Sequence, residues 1–121
     1  MSKRILLVDD DERMLPLLAL QISELDYQVD TCKHPGEALG MWWSAPDCYS
    51  AVITDYAMFP KNGTELAKAM RVLWCTVPII LISAGGDSFM RDALDKAGIT
   101  DFLSKPFDKV TLGMELKKLL A

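Results

Sequence analysis

Histidine is nearly absent and cysteine is sparse: the 121 residues hold one His and three Cys. His34 stands alone, and Cys32, Cys48 and Cys75 lack CxxC spacing. The donors for a zinc site are missing, and an odd count excludes a closed disulfide framework, so buried reduced thiols are expected. His34 reads as a loop residue or a helix cap. Basic charge is also scarce. Thirteen Lys and Arg against 17 Asp and Glu leave a net charge of −4, without the clustered cations that a nucleic-acid surface needs. Long apolar runs are missing too: Pro78-Ile79-Ile80-Leu81-Ile82 falls far short of the roughly 20 residues that span a bilayer. At the N-terminus Lys3 and Arg4 lead into a short apolar run and three aspartates, unlike a signal peptide. The expectation is one cytoplasmic domain over residues 1–121, touching neither nucleic acid nor membrane. Half the residues are hydrophobic and a quarter are charged, a globular balance.

What is present is an alternation. Ile5-Leu6-Leu7-Val8, Ala51-Val52-Ile53 and Ile79-Ile80-Leu81-Ile82 are apolar at successive positions. Such strands are buried on both faces, as in the middle of a parallel sheet covered by helices. Val29-Asp30-Thr31-Cys32 and Thr100-Asp101-Phe102-Leu103 are more polar and suit the sheet edges. Between the runs lie helical stripes. Leu15, Leu18, Ile22 and Leu25 make one; Leu66, Ala69, Met70 and Leu73 make another; Phe89, Ala93, Leu94 and Ala97 make a third. Val110, Met114 and the apolar positions in 116–120 belong to a last helix. Asp11, Asp87 and Asp108 sit at N-cap positions, Pro35 in a first turn and Gly98 at a C-cap. Pro16 falls inside the first helix, where it removes a backbone hydrogen bond and predicts a late start or a kink. Trp42 shares a face with Ala38 and Ala45, leaving its neighbour Trp43 tilted outward.

A β-α unit repeated about five times calls for a doubly wound parallel α/β sheet with right-handed crossovers. Ligands of such sheets bind beyond the carboxyl ends of the strands. To that rim the strand ends deliver Asp9, Asp10 and Asp11, then Asp55, then Ser83, then Lys105. Crowded carboxylates repel unless a cation compensates, and an all-oxygen donor set favours a hard ion, Mg2+ or Mn2+. A metal, a lysine, a hydroxyl and a reachable carboxylate together suit phosphoryl transfer.

The motifs Ile5-Leu6-Leu7-Val8-Asp9-Asp10, Val52-Ile53-Thr54-Asp55, Ile80-Leu81-Ile82-Ser83-Ala84 and Lys105-Pro106-Phe107 resemble those of bacterial response-regulator receiver domains, chemotaxis regulators among them. They occur in family order along essentially the whole chain. The resemblance implies a flavodoxin-like three-layer sandwich with sheet order 2-1-3-4-5. It implies that Asp55 is the phosphoacceptor, that Asp9, Asp10, Asp55 and the backbone carbonyl of Ala57 hold the metal, and that Lys105 pairs with the phosphoryl group. Ser83 and Phe102 are implied as the switch pair, and Lys105-Pro106 as a cis peptide. The implied partners are a histidine kinase or histidine phosphotransfer domain and a downstream output. The implied product is a remodelled face made by the fourth helix, the fifth strand and the fifth helix, with no turnover beyond the chain's own phosphorylation and dephosphorylation.

Several positions depart from the family pattern. Phe59 stands where Pro is usual and Pro60 follows; Ser83 replaces Thr and Phe102 replaces Tyr; Ala57 and Gly85 flank the site as small residues. A pseudo-receiver acting only as an interaction module is the alternative reading. A haloacid-dehalogenase-type phosphatase would want an acid at position 57, and an FMN site would want a Ser/Thr/Gly loop where the three aspartates stand.

Overall fold

The structure, a computed structural model, describes residues 3–84, 89 and 91–120. Five strands alternate with five helices: β1 Arg4–Val8, α1 Met14–Glu24, β2 Gln28–Cys32, α2 Pro35–Ser44, β3 Ala51–Asp55, α3 Gly63–Val72, β4 Ile79–Ser83, α4 Arg91–Ala97, β5 Asp101–Ser104 and α5 Lys109–Leu120. All strand pairs are parallel, in the order β2-β1-β3-β4-β5, so the expected doubly wound fold is present.

Successive side chains of a strand point to opposite faces, and here they split the core in two. Leu6, Val8, Val52 and Leu81 pack with Ala38 and Trp42 of α2, Leu66 and Met70 of α3, and Leu94 and Ala97 of α4. Ile5, Leu7, Ile53, Ile80 and Ile82 pack with Leu15, Leu18 and Ile22 of α1 and Leu112, Leu116 and Leu120 of α5. The three central strands are apolar at nearly every position because both faces are covered. The edge strands β2 and β5 each carry an aspartate held by a neighbouring cation. Asp30 pairs with Arg4 at 2.6 Å and also accepts the Tyr49 hydroxyl at 2.7 Å, while Asp101 pairs with Lys118 at 3.2 Å.

Most of the expected punctuation is in place. Asp108 Oδ1 accepts from the N–H of Thr111, whereas Asp11 stands a turn ahead of α1, its Oδ1 accepting from the N–H groups of Arg13 and Met14, and the N-cap position itself is Arg13 without a side-chain cap. Pro35 opens α2, capped by His34 Nδ1 accepting from the Gly36 N–H, and Gly98 follows α4 with φ +80°. Helix α1 starts late, at Met14, which leaves Pro16 in its opening turn where the missing N–H costs least. The cap expected at Asp87 lies outside the described residues. Trp42 is 3% exposed with its indole N–H donating to the Leu73 carbonyl, while Trp43 is 61% exposed.

Two expectations need correcting, one on the thiols and one on the third helical stripe, while the last helix stands where it was expected. Cys32 and Cys75 are buried thiols, but Cys48 is exposed. In the last helix the sheet-facing stripe is Leu112, Leu116 and Leu120, a strict four-residue repeat, so Val110 and Met114 fall on the solvent side. Ala93 is likewise exposed, because α4 turns Leu94 and Ala97 to the core.

Candidate functional site

Strand register determines which residues meet at the rim. Val8 pairs with Thr54, Asp55 with Ile82, and Ser83 with Ser104, so β1, β3, β4 and β5 end side by side. The chain beyond each end is tied to its neighbour. Asp9 N–H donates to the Cys32 carbonyl, Tyr56 N–H to that of Ile82, and Lys105 N–H to that of Ser83. These bonds carry the parallel ladder one residue past each strand and hold Asp9, Asp55 and Lys105 at a common height.

Helix α3 sets its first residue against the end of β3. Asn62 caps it through a reciprocal box: its side chain accepts from Glu65 N–H, and the Glu65 carboxylate accepts from Asn62 N–H. Gly63, the first residue of α3, donates its N–H to the Tyr56 carbonyl at 2.8 Å. A Cβ there would lie 2.4 Å from the Asp55 carbonyl oxygen and 2.6 Å from Leu81, so a side chain at position 63 would displace the strand end that bears Asp55.

The predicted acids converge. Asp9, Asp10 and Asp55 each bring one carboxylate oxygen within 4.8 Å of the others. Asp9 is buried and its Oδ1 accepts from Asp11 N–H at 2.9 Å; Asp55 is nearly buried and lies 3.3 Å from Lys105 Nζ; Asp10 is exposed. Burial pushes the Asp9 carboxyl up to about 6, opposed by its backbone hydrogen bond and raised further by the charge on Asp55. Burial raises Asp55 as well, with Lys105 pulling the other way. Asp11, by contrast, is held below the usual carboxylate range by the backbone N–H of Arg13. It serves the helix rather than the cluster.

One ammonium does not compensate three carboxylates at this spacing, and two of them resist ionisation on their own. The donors are all oxygen, the set suited to a hard divalent ion such as Mg2+. Ser83 Oγ is buried and has no hydrogen-bond partner among the described residues, so the rim carries an unfilled donor beside the acids. The site fits a cation together with an anionic group that could accept from that hydroxyl.

The other expected residues stand at or just beyond the same strand ends. Ala57 is an exposed residue of the loop after β3, and Lys105-Pro106 is cis. Phe102 is half-buried on β5, and Gly85 lies outside the described residues. The unusual loop brings a second cis peptide, Phe59-Pro60, and the Phe59 N–H donates to Asp10 Oδ2 at 3.3 Å, so the loop remains joined to the acids.

Sequence reasoning missed an aromatic series. Tyr56, next to Asp55, meets Phe89 edge-on with centroids 4.9 Å apart, and Phe89 meets Phe102 at 5.7 Å. Phe89 fits a helical stripe by spacing but stands ahead of α4, and nothing in its local spacing signals such contacts. The Asn62 box was available in the sequence, as a capping residue followed three positions later by Glu.

A family model described as the response regulator receiver domain matches residues 5–117. The chain belongs to that family. Among similar proteins, this receiver domain is 33% identical to the two-component response regulator ORR41 of Oryza sativa subsp. japonica, over 95% of this chain and 92% of that protein. It is 32% identical to protein RcaC of Microchaete diplosiphon, over 97% of this chain but 18% of that one, and it spans 48% of the transcriptional regulatory protein ResD of Bacillus subtilis (strain 168). A solved structure of a putative response regulator from Chloroflexus aurantiacus superposes with a TM-score of 0.88 at 30% identity, covering 99% of this chain and 98% of that one. Among the described residues, no helix of the receiver is long and apolar enough to cross a membrane.

Proposed function

We propose that this receiver domain is a phosphorylation-dependent switch in which Asp55 accepts a phosphoryl group from a histidine kinase, a histidine phosphotransfer domain or a small acyl phosphate. The observation that carries the reading is the convergence of Asp9, Asp10, Asp55 and Lys105, with the Ser83 hydroxyl, unpartnered among the described residues, at the adjoining end of β4. Asp9, Asp10, Asp55 and the carbonyl of Ala57 are the groups that would hold Mg2+, which supplies positive charge to the oxygens of the transferring group.

The chain's own residues do the rest. A carboxylate oxygen of Asp55 attacks phosphorus in line; the new bond makes an acyl phosphate, and the bond to the donor nitrogen or oxygen breaks with its electron pair leaving on the donor. Lys105, already paired with Asp55, moves its ammonium onto a phosphoryl oxygen as the carboxylate loses its charge. Ser83 then donates its hydroxyl to another phosphoryl oxygen. Drawing β4 toward the site lets Phe102 pack inward, which shifts a two-state equilibrium and remodels the α4-β5-α5 face for a downstream partner. The domain acts in the cytoplasm and turns over nothing but its own phosphoryl group.

The test is labelling by acetyl phosphate. The wild-type chain should gain one hydroxylamine-labile phosphoryl group with Mg2+ and none in EDTA, while Asp55→Asn should stay folded and take no label. Labelling that persists in Asp55→Asn refutes the acceptor assignment. A wild-type chain that takes no label while showing no saturable response to Mg2+ is a pseudo-receiver.

A further inference from the structure

We infer that Phe59, through its backbone N–H, is a positioning residue for Asp10 and so raises the affinity of the acidic site for a divalent cation. The inference rests on the reading of the site as a metal centre. Two of the three acids are fixed without help from this loop: Asp9 by burial and by Asp11 N–H at 2.9 Å, Asp55 by burial and by Lys105 at 3.3 Å. Asp10 is the exposed member of the set. A carboxylate in water samples several rotamers, and ordering it on ligation costs conformational freedom.

The Phe59 N–H reaches Asp10 Oδ2 at 3.3 Å across a sequence gap of 49 residues. It occupies one of the two carboxylate oxygens and leaves Oδ1 free to ligate. An N–H donor on a charged oxygen is stronger than a neutral pair, and ligating carboxylates held by such outer contacts lose about 10- to 100-fold in metal affinity when those contacts are removed. The side chain is not what makes the contact, since the Phe59 ring is 82% exposed. What matters at position 59 is a residue with an N–H, which every amino acid except proline supplies.

The experiment compares Phe59→Pro, which deletes the donor, with Phe59→Ala, which keeps it and removes the ring. Mn2+ binding is followed by the electron paramagnetic resonance signal of the free ion. Phe59→Pro should bind about 10-fold more weakly than wild type, the lower bound for lost outer contacts, and Phe59→Ala should bind like wild type. Equal affinity in all three chains, or an equal loss in both variants, overturns the role given to the N–H while leaving the metal reading intact. A wild-type chain that does not bind Mn2+ sinks the metal reading itself. Should Phe59→Pro fail to fold, the contact is decided without metal. Amide hydrogen exchange at Phe59 in the metal-free protein should accelerate in Asp10→Ala relative to wild type, and an unchanged rate refutes the contact.

Discussion

Replacing Asp9 with Asn should make the metal-free protein more stable, although it removes a residue the site needs. Burial raises the Asp9 carboxyl from its ordinary 3.8 to about 6. In the unfolded chain the group loses its proton near the lower value, and in the folded chain near the higher. Between the two, the folded state binds more protons, so stability falls as pH rises through that window and the full penalty stands above it. The gap is about two pH units; at about 1.4 kcal/mol for each, the ionised carboxylate costs the fold on the order of 3 kcal/mol at neutral pH. Asn keeps the oxygen that accepts from Asp11 N–H and carries no charge to desolvate. Urea unfolding followed by Trp fluorescence in EDTA, at pH 4.5 and 7.5, measures the effect. With a urea slope of about 1–3 kcal/mol per molar, the midpoint of Asp9→Asn should lie roughly 1–3 M above wild type at pH 7.5. The difference should shrink toward pH 4.5, where wild-type Asp9 is protonated. An Asn variant no more stable than wild type at pH 7.5, or an advantage independent of pH, would refute the reasoning.

Other expectations follow from the packing and the charges. Gly63→Ala forces a Cβ to within 2.4 Å of the Asp55 carbonyl oxygen and should cost about 1–3 kcal/mol in urea unfolding. Arg71 donates to the carbonyls of Cys75, Val77 and Gly98, tying α3 to the chain on both sides of β4; Arg71→Ala should lose roughly 2–3 kcal/mol in the same assay, whereas a freely solvated arginine would lose nothing measurable. Trp43→Ala should change stability by less than about 0.5 kcal/mol, while Trp42→Phe, which loses the bond to the Leu73 carbonyl, should cost about 1 kcal/mol or more. Because burial raises Asp55, its carboxyl in the metal-free protein should titrate above the range of an ordinary aspartate, as read from its carboxyl carbon NMR shift against pH in EDTA.

The fold was legible because each central strand is apolar at nearly every position, which only a doubly covered parallel strand requires. The acids were legible because they sit at strand ends, where an α/β sheet gathers them. Less was legible where one-dimensional spacing competes with three-dimensional direction. Val110 and Met114 look as apolar as Leu112 and Leu116, and only the phase of the helix against the sheet separates them. Tyr56, Phe89 and Phe102 come from three separate stretches of the chain, so no local window brings them together. The bond from Phe59 to Asp10 is hardest to foresee, because its donor is main chain and leaves no mark in a side-chain motif.

The ion-paired aspartates at the two sheet borders have a consequence for crowding. A foreign strand trying to extend the sheet would have to strip water from Asp30 beside Arg4, or from Asp101 beside Lys118, before gaining a single main-chain bond. At high local concentration these pairs therefore work against edge-to-edge strand pairing between copies of the chain.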